Sequence, residues 1–431
     1  MKYLIESYGC QLNMAESNAI ELLLKGRGLE ATENAGEADA VIINTCSVRK
    51  TAENRIWGRL GFYSAIKKRR KLILIVTGCM AERMQEELKK EAPYVDFVIG
   101  TNEKSRIPEF ILGSPFEHSD KYTFLSSYYK EGEFSSYVPI MNGCNNFCSY
   151  CIVPYVRGRE ISRPVEDIIS EIEFLDSKGV REITLLGQNV NSYSYEYQGK
   201  HVDFPTLLEI ILPYLKNIVF VRFESPHPKD FSDHLIKVIA ENDKIAKHIH
   251  LPMQAGSTRI LELMNRKTTR EKFIALVEKM KREIPNLTLA TDVMTGFPTE
   301  TEEEYEETLS MMEIMDCAEA FMYYYNPREG TRAANMDGQI DEKIKVARLE
   351  KLIAQQIDRQ KRDKEALIPF KAMAIVTGVS RDDKNRYLAR GEHNYYFSVE
   401  SAIDHKEGDI IYVNATEVQG NTFRGKEIEG L

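Results

Sequence analysis

The sequence lacks several features that would assign it to broad classes of protein. No stretch approaches the roughly 18 consecutive apolar residues of a membrane-spanning helix. The first residues, MKYLIESYGC, place Glu6 beside a short apolar run and show no signal-peptide pattern. Basic residues are in deficit, with 57 Lys and Arg against 66 Asp and Glu and a net charge of −9. We therefore expect a cytoplasmic protein without membrane contact, and we exclude a uniformly basic nucleic-acid coat.

Cysteine is also scarce, with seven residues in a chain of 431. A large chain with few cysteines and no export signal does not resemble a disulfide framework, so the pattern favours metal or redox chemistry in a reducing compartment. The cysteines form a compact set, a dispersed set and one isolated residue: Cys144, Cys148 and Cys151; Cys10, Cys46 and Cys79; and Cys317. Cys317 precedes an apolar strand-like run, and we predict that it is a core residue.

The segment 1–115 alternates predicted strands and helices, which indicates an α/β domain with an open, mostly parallel sheet. Cys10, Cys46 and Cys79 each end one of its first three long strands. Ligands of open α/β sheets bind beyond the carboxyl ends of the strands. The three thiols are therefore predicted to converge on one site.

The segment 137–366 contains six predicted strand-and-helix units, typical of a partial (β/α)6 barrel whose active site lies on the loops after the strands. The acidic run after Thr299 is predicted to start a helix, where carboxylates favour the helix dipole. The segment 368–431 has short β-rich runs bounded by Gly, Asp and Asn, which predict a small β-barrel or sandwich. A polar stretch from 113 to 136 separates the first two segments.

The string GCNNFCSYCIVPYVRGRE follows the first predicted barrel strand and spaces three cysteines as C-x3-C-x2-C. Thiolates at such spacing can hold three irons of a [4Fe–4S] cluster and leave the fourth iron open. Zinc is the alternative, since it also binds thiolates, but a closed structural zinc site needs four ligands. This loop offers no fourth Cys or His.

This motif after the first strand of a six-unit barrel resembles the radical S-adenosylmethionine (SAM) superfamily. The three-part organisation is similar to that of its methylthiotransferases, whose terminal β domain is the RNA-binding TRAM domain. The resemblance is closest to the tRNA 2-methylthio-N6-dimethylallyladenosine synthases and covers essentially the whole chain. It rests on the motifs YGCQLN, NTCSVR, IVTGCMAER, CNNFCSYCIVPYVRGREISRP, LLGQNVNSY, HIHLPMQAGS and TGFPTET.

The resemblance implies two [4Fe–4S] clusters and a chemistry that consumes two SAM molecules. One cluster would be held by Cys144, Cys148 and Cys151 and would cleave SAM to a 5′-deoxyadenosyl radical. An auxiliary cluster on Cys10, Cys46 and Cys79 would carry sulfur, which a second SAM methylates. The product would be a methylthio group on C2 of an isopentenylated adenosine beside the anticodon. An electron donor and a sulfur donor or cluster-assembly protein are implied as partners.

Other predicted contacts follow strand ends. Gly187, Gln188 and Asn189 follow the second barrel strand, where the superfamily receives the methionyl amine of SAM, and Ser225 and Gln254 are candidate contacts to SAM or its ribose. Each can equally be a loop cap or turn residue. His248 and His250 share a strand face and are predicted to line the barrel.

Positive charge concentrates in one segment despite the acidic total, with nine basic residues and one acidic residue between positions 49 and 71. We interpret this set as a phosphate footprint for the anticodon stem-loop of tRNA, with an ordinary solvated helix as the alternative. Its members are Arg49, Lys50, Arg55, Arg59, Lys67, Lys68, Arg69, Arg70 and Lys71. Three further arginines beside the cysteine loop are predicted to guide the RNA or its base: Arg157, Arg159 and Arg163.

The segment LARGEHNYYFS departs from the Gly-Arg-Thr and Asn-Arg pattern of the family's terminal domain. Arg390 and Gly391 are transposed, Glu392 replaces the hydroxyl residue, and Tyr395 and Tyr396 replace the arginine. Aromatic rings can stack on unpaired bases, so RNA binding is still expected there.

Alternative functions remain open from sequence. A sister methylthiotransferase acts on threonylcarbamoyladenosine in tRNA, and another modifies an aspartate of a ribosomal protein; the basic segment counts against the second. A non-catalytic iron–sulfur electron carrier would not need a six-unit barrel.

Overall fold

The computed structural model describes residues 1–47, 50–115, 122–126, 129–380 and 383–430, with side chains from residue 53 onward in the helix that begins at position 50. The described chain forms an N-terminal α/β sheet, a central crescent of strands and helices, and a C-terminal closed β-barrel. The predicted fold class is confirmed in all three parts.

The N-terminal sheet has five parallel strands in the order β2-β1-β3-β4-β5. Its central strand is fully buried, as expected where helices cover both faces of a parallel sheet. The strands are β1 Lys2–Ser7, β2 Glu30–Ala31, β3 Ala40–Thr45, β4 Ile73–Gly78 and β5 Phe97–Ile99. The helices are α1 Gln11–Gly26, α2 Lys50–Lys67, α3 Cys79–Arg83, α4 Gln85–Glu91 and α5 Ile107–Leu112.

The central crescent consists of two three-stranded parallel sheets, β6-β9-β12 and β13-β14-β15, joined by one bridge between Val221 and Ile245. The six-unit prediction is confirmed. The strands of these sheets are β6 Ser135–Pro139, β9 Glu182–Leu186, β12 Phe220–Phe223, β13 His248–His250, β14 Thr288–Thr295 and β15 Glu319–Tyr324. Two short antiparallel pairs lie between them in sequence: β7 Met141–Asn142 with β8 Ile161–Ser162, and β10 Ser194–Tyr197 with β11 Lys200–Asp203. The helices are α6 Val153–Arg157, α7 Val165–Ser177, α8 Phe204–Ile211, α9 Asp233–Glu241, α10 Thr258–Leu263, α11 Arg270–Glu283, α12 Glu302–Met315 and α13 Glu342–Ala366.

Alternation along the crescent strands separates an apolar outer layer from a polar inner face. Residues such as Ile183, Val221 and Val293 belong to the large core between strands and helices. Their strand neighbours Glu182 and Arg222 form an ion pair across the inner face, with Nε and Oε2 2.6 Å apart. The lumen of the crescent is therefore lined with polar groups, while the outer layer supplies the hydrophobic stability.

The acidic run after Thr299 begins helix α12, as predicted. Thr301 and Glu304 form a reciprocal capping box at its start, which satisfies two otherwise unpaired backbone N–H groups. Cys317 is completely buried, so its assignment to the core is also confirmed. Every helix in the described part of the chain is too short or too polar to span a lipid bilayer.

The C-terminal segment forms a closed barrel with the strand order β16-β17-β18-β20-β19. Of the two predicted alternatives, the structure is therefore a small β-barrel and not a sandwich. Its core contains Phe397 and Phe423, whose rings stack 5.5 Å apart. The strands are β16 Phe370–Val379, β17 Arg386–Gly391, β18 Tyr396–Glu400, β19 Ile410–Gln419 and β20 Thr422–Ile428.

This barrel docks on the amino-terminal end of the crescent strands, away from the loops that carry the cysteines. Arg222 donates to the carbonyl oxygens of Gly391 and Glu392, each at 2.8 Å. Arg390 pairs with the same buried Glu182 that binds Arg222. The segment that departs from the family pattern therefore contacts the crescent, and the guanidinium of Arg390 binds a carboxylate of the protein.

We predict that Glu182→Gln loosens the C-terminal barrel, because the buried guanidinium of Arg222 and the half-buried one of Arg390 lose their shared carboxylate. Removing one partner of a buried ion pair costs about 3–5 kcal/mol. Hydrogen exchange in β17 and β18 should speed up. Glu306→Gln is the matched control, because it removes an exposed partner of Lys351 and should cost less than about 1 kcal/mol. Unchanged protection in the Glu182 variant would contradict this role.

Candidate active site

The compact cysteine set lies in a loop from 143 to 160 whose two ends are held together by the β7–β8 ladder. Gly143 adopts φ +82°, and a Cβ there would lie 2.1 Å from the carbonyl oxygen of Arg159, so glycine permits this close approach. The amide of Cys144 donates to Gly158 at 3.2 Å, and that of Cys151 donates to Cys148 at 3.0 Å. These contacts fix the backbone that presents the three thiols.

A second segment of the crescent supports the loop from the side. The amide of Asn265 donates to the carbonyl oxygens of Asn146 at 3.1 Å and Phe147 at 2.9 Å. The hydroxyl of Ser149 donates to Leu263 at 2.8 Å. The loop is thus braced by the turn that follows α10.

The dispersed cysteines meet at the carboxyl edge of the N-terminal sheet, as the strand pattern predicts. Cys46 and Cys79 directly follow Thr45 and Gly78, which are paired in register on β3 and β4. Cys10 follows β1 after the turn at Gly9, where a Cβ would lie 2.5 Å from the Cβ of Cys46. Cys46 and Cys79 are buried and Cys10 is exposed.

Asn13 holds two of the three cysteine-bearing loops in place, those of Cys10 and Cys46. Its side-chain amide donates to the carbonyl oxygen of Thr45 at 2.8 Å and to that of Tyr8 at 3.3 Å. Its Oδ1 lies 3.6 Å from the thiol of Cys10. Asn13 belongs to the YGCQLN motif, but the spacing of the cysteines did not predict this supporting role.

The two cysteine sets face each other. Cys79 packs in an apolar cluster with Ile152 and Val156, and Ile152 is the residue after Cys151. The hydroxyl of Thr101 donates to the carbonyl oxygen of Val156 at 2.9 Å. The carboxyl edge of the sheet therefore covers the carboxyl end of the crescent at the cysteine loop.

A buried ion cluster fixes this arrangement. Glu16 on α1 pairs with Lys104 of its own domain and with Arg157 of the cysteine loop, at 2.8 Å in the latter case. Arg157 also donates to Asn13 at 3.2 Å and to Asn142 at 3.1 Å. Burial opposes the charge on Arg157, but Cys79 and Glu16 raise its pKa above the ordinary value.

A second ion cluster lies beside Cys46. Arg83 donates to Ser47 at 2.7 Å and to Glu53 at 2.5 Å, and Arg328 lies 3.6 Å from the same carboxylate. Like the Glu16 cluster, it sets two cations against one carboxylate. Both clusters leave an excess of positive charge around the dispersed cysteines, which fits an anionic group bound by their thiolates.

The compact cysteine set fits a bound cluster by the same reasoning. Arg266 is buried and donates to Pro252 at 2.7 Å and to the sulfur of Cys148 at 3.8 Å. Burial opposes its charge, but Tyr150 and Cys148 raise its pKa. Among the described residues no carboxylate pairs with this guanidinium, so an anionic thiolate-bound cluster would supply its countercharge.

Burial also raises the pKa of Cys144 and takes that of Cys151 to about 12. These thiols would release their protons on binding a metal, as iron–sulfur ligation requires. In the described ranges, no three Cys, His, Asp or Glu side chains form a site for a single metal ion. Cluster cysteines bind different irons, so their sulfurs stand farther apart than the ligands of one ion.

The predicted SAM contacts occupy different positions around the carboxyl end of the crescent. Gly187 and Gln188 follow β9, and the Gln188 side chain accepts from the amide of Gly143 at the start of the cysteine loop. Ser225 and Gln254 both adopt left-handed backbone conformations, with φ +62° and +72°. Such conformations are uncommon for these residue types and concentrate at functional sites. Gln254 accepts from the hydroxyl of Tyr323 at 2.7 Å.

Asn189 differs from its neighbours because its side chain is fully buried. Its amide donates to Asp230 at 2.9 Å, and its oxygen accepts from the amide of His227 at 3.2 Å. These contacts join the loops after β9 and β12, so the Asn189 side chain helps to position the loop that carries Gly187 and Gln188.

The lumen contains a charged group that sequence reasoning placed only in part. His250 lies between Glu224 and Asp292, with its Nδ1 and Nε2 each 3.1 Å from a carboxylate oxygen. Burial opposes its charge, but hydrogen bonds with Asp292 and Glu224 raise its pKa to about 10. His248 also lies in the lumen, where burial and Arg222 lower its pKa. Because the two histidines share a strand face, the sequence predicted that both line the barrel. Their different protonation states depend on residues from other strands.

The basic segment is divided by the structure. Arg49 and the side chain of Lys50 lie outside the described residues. The guanidinium of Arg55 lies over the ring of Tyr8 at 5.3 Å, near the cysteine edge. Arg59 is bound by Glu6, at 3.0 Å from its Nε.

The remaining members lie at the far end of α2, about 18 Å along the helix axis from Arg55. Lys67 donates to the carbonyl oxygen of Tyr94 at 2.8 Å, and Arg70 donates to that of Ala35 at 2.7 Å. Three members are exposed to solvent: Lys68, Arg69 and Lys71.

The arginines near the cysteine loop separate into two groups. Arg157 and Arg163 are 5% and 3% exposed and bind Glu16 and Glu171, so the predicted RNA contacts are not available to them in this structure. Arg159 is exposed, and its guanidinium stacks 4.5 Å from the ring of Phe147. It keeps the surface position that an RNA contact requires.

We predict that Glu16→Gln destabilises the protein, because it leaves Lys104 and Arg157 without a carboxylate. Burial alone would raise the pKa of Glu16, but Arg157 and Lys104 lower it from 4.5 to about 2. The carboxylate therefore contributes on the order of 3 kcal/mol at neutral pH. Because this contribution disappears as the pH falls from 4.5 towards 2, the difference between wild type and variant should narrow over that interval.

Urea unfolding measured at several pH values checks this expectation. Glu21→Gln, on the same helix, removes an exposed partner of Lys25 and should change the free energy of unfolding by less than about 1 kcal/mol. Equal effects of the two substitutions would refute the importance of the Glu16 cluster.

Two family models match successive parts of the chain. Residues 2–100 match the uncharacterized protein family UPF0004, and residues 138–312 match the radical SAM superfamily. The first match covers the sheet with the dispersed cysteines. The second begins in β6 and includes the compact set.

Solved structures support the fold. A radical S-adenosylmethionine methyltransferase, TsrM from Kitasatospora setae, with cobalamin and a [4Fe-4S] cluster bound, covers 77% of each chain with a TM-score of 0.56 and 14% identity. The cobalamin-dependent S-adenosylmethionine radical enzyme OxsB covers 81% of this chain and 56% of its own, with a TM-score of 0.51 and 11% identity. At these identities the similarity concerns the fold alone.

Curated relatives match the chain from end to end. A tRNA-2-methylthio-N(6)-dimethylallyladenosine synthase of Treponema pallidum is 42% identical over 100% of this chain and 99% of its own length. A protein of the same name from Bacteroides fragilis is 42% identical over 99% of this chain and 96% of its own. This chain therefore belongs to the tRNA-2-methylthio-N(6)-dimethylallyladenosine synthase family of radical SAM methylthiotransferases.

Proposed function

We propose that this protein converts N6-isopentenyladenosine beside the anticodon of tRNA to its 2-methylthio derivative. The observation that carries the proposal is the apolar cluster of Cys79 with Ile152 and Val156, which brings two separate cysteine triads to one place between two domains. C–H activation and sulfur delivery are separate tasks, so both sites must reach one substrate carbon. The full-length relatives named above act on the same class of nucleoside by their names.

We assign Cys144, Cys148 and Cys151 to one [4Fe–4S] cluster and Cys10, Cys46 and Cys79 to the other. When bound, the clusters and SAM supply an electron for reductive cleavage, a carbon radical, a methyl group and a sulfur atom. The chain supplies the thiols and the cations around them. Arg266 lies within hydrogen-bond reach of the Cys148 sulfur, and Cys79 is one of the groups that raise the pKa of Arg157.

Residues at the rim of the crescent would orient SAM. Gly187, Gln188, Ser225 and Gln254 lie at the carboxyl ends of strands, where ligands of this fold bind. The link from Gln188 to Gly143 ties one of these residues to the start of the cysteine loop. Asn189 would hold the loop of Gly187 and Gln188 in position by joining it to the loop after β12.

We divide the chain into a methylthiotransferase domain at 1–115, a radical SAM domain at 137–366 and a TRAM-like RNA-binding domain at 368–431. An electron donor and a sulfur donor or cluster-assembly protein would complete the reaction cycle. We place the protein in the cytoplasm, where its free thiols stay reduced and tRNA is available.

The RNA would approach the rim where the sheet edge meets the cysteine loop. Half-buried rings there carry guanidinium groups on their faces: Arg55 lies over Tyr8, and Arg159 lies over Phe147. Rings with arginine beside them suit unpaired bases, such as those of an anticodon loop. Tyr155, which is 56% exposed, extends the same surface through its edge contact with Phe147.

Nucleoside mass spectrometry after anaerobic turnover tests the proposal. The reconstituted protein with SAM and reductant should add a methylthio group to isopentenylated tRNA and leave threonylcarbamoylated tRNA unchanged. Gain only on the second nucleoside would assign the chain to the sister activity. If SAM is cleaved and neither nucleoside changes, the proposal is wrong, and the ribosomal protein would be tested next.

Cysteine variants separate the two sites in the same assay. Replacing Cys144, Cys148 or Cys151 by Ala should abolish formation of 5′-deoxyadenosine, because the cluster that cleaves SAM is lost. Replacing Cys10, Cys46 or Cys79 should leave that formation measurable and stop methylthio formation. Cys317→Ala is the control, since its buried thiol lies in the core. Methylthio product from a Cys10, Cys46 or Cys79 variant would refute the sulfur-carrying role.

The exposed cations at the end of α2 give a separate prediction for RNA binding. Replacing Lys68, Arg69 and Lys71 together by Gln should weaken tRNA binding and reduce the dependence of log affinity on log salt by about 2 to 3, if each contacts a phosphate. Fluorescence anisotropy over a salt series measures this slope. Lys89→Gln with Lys90→Gln removes exposed charges from α4 of the same domain and should change it less. An unchanged slope in the triple variant would identify the end of α2 as an ordinary solvated helix end.

A further inference from the structure

One aromatic side chain in the lumen of the crescent has no packing role. Phe321 on β15 is 40% exposed and belongs to no apolar cluster of the described residues. Its chain neighbours Ala320 and Met322 point the other way and pack against the main core. A phenyl ring turned away from the core towards a polar cavity leaves apolar surface in water, which stability alone does not favour.

The position of Phe321 places it at the level between the SAM rim and the docked C-terminal barrel. On β15 the inward residues are Glu319, Phe321 and Tyr323, in order from the amino-terminal end. Tyr323 reaches Gln254 at the rim, and Glu319 accepts from Asn394 of the C-terminal barrel at 3.1 Å. Phe321 lies between these two levels.

Phe321 is also on an open side of the crescent. β15 is hydrogen-bonded to β14 and forms one end of the strand order in its sheet. The other end of the crescent is β6, so six strands leave a lateral gap between β6 and β15. A base that enters through this gap meets β15 first.

The residues around the ring are charged. The imidazole of His250 lies 5.5 Å from the ring centroid, and Asp292 is the register partner of Phe321 on β14. The imidazole of His250 lies between the two carboxylates, with each ring nitrogen 3.1 Å from a carboxylate oxygen, and its Nδ1 forms a hydrogen bond with Glu224. Its raised pKa keeps it protonated at neutral pH. The group therefore carries two negative charges against one positive charge.

Arg222 and Arg390, which lie nearer the C-terminal barrel, do not offset this net negative charge for a ligand. Arg222 is bound by Glu182 and by two backbone carbonyl oxygens of the C-terminal barrel. Arg390 is bound by the same carboxylate. An anionic substituent in the lumen would therefore lie near the carboxylates of Glu224 and Asp292. Neither arginine would compensate its charge, because both guanidinium groups are already paired.

We propose that Phe321 and the Glu224–His250–Asp292 group select the substrate by its N6 substituent. The phenyl ring contacts an apolar, uncharged chain such as isopentenyl, and the net negative group excludes a carboxylate such as that of threonylcarbamoyl. This inference rests on the proposed function and names the residues that decide between the two sister substrates. Specificity then comes from one attractive and one repulsive element in the same cavity.

Binding of anticodon stem-loop RNAs to the full-length reconstituted protein tests the inference without turnover. The loops carry isopentenyladenosine, unmodified adenosine or threonylcarbamoyladenosine at the same position, and affinity is measured by fluorescence anisotropy. Wild type should prefer the isopentenyl loop to the unmodified loop, and Phe321→Ala should reduce this preference by about tenfold, as expected for losing apolar contact in a pocket. Phe321→Leu keeps an apolar side chain and should retain most of it.

Phe174→Ala is the matched control, because Phe174 is a similarly exposed ring at 47% on the outer helix α7. It should leave the preference unchanged. Asp292→Asn removes one negative charge and should narrow the difference in affinity between the threonylcarbamoyl and isopentenyl loops.

An unchanged preference in Phe321→Ala would overturn the inference, as would a wild-type protein that binds all three loops equally. The mass-spectrometric assay tells these failures from failure of the proposed function. If wild type makes the methylthio product and Phe321→Ala keeps its preference, the selectivity assignment alone is wrong. If wild type makes no such product, the proposed function falls as well.

Discussion

The buried carboxylate of Glu16 is the interaction on which the relation between the two cysteine sets depends. It binds Lys104 from its own domain and Arg157 from the end of α6, the short helix within the cysteine loop. Because all three groups are shielded from water, separation of the domains would leave charges uncompensated. Arg157 in turn reaches Asn13, which holds the loops of Cys10 and Cys46. The apolar cluster of Cys79 with Ile152 and Val156 is therefore held by electrostatics as well as by apolar packing.

Glu182 plays the same part at the opposite end of the crescent. It binds Arg222 from β12 and Arg390 from the C-terminal barrel, so one carboxylate again joins two cations from different parts of the chain. The N-terminal domain is thereby fixed over the carboxyl ends of the strands and the C-terminal barrel over their amino ends. With both ends covered, the side between the unpaired edges of β6 and β15 is the one that the strand order leaves open.

Local sequence patterns predicted the three-part fold, the compact motif and the meeting of Cys10, Cys46 and Cys79, because carboxyl ends of parallel strands lie on one edge. Such patterns could not predict which residues pair with each other as ions. Arg157 resembles an RNA contact in sequence, whereas its carboxylate lies 141 positions away on α1. Glu182 and Arg390 are 208 positions apart. A charge run shows where cations are frequent, but only the folded chain shows which of them are already neutralised.

The polar lumen follows from the incomplete barrel. A closed eight-stranded barrel fills its interior with layers of branched apolar side chains, which become part of its core. Six strands cannot close, so water or a ligand reaches the inner face, and apolar residues there would gain little from burial. The crescent accordingly draws its hydrophobic stability from the outer layer between strands and helices. Residues on the inner face are thus released from packing, and an exposed ring such as Phe321 is available there to contact a substrate.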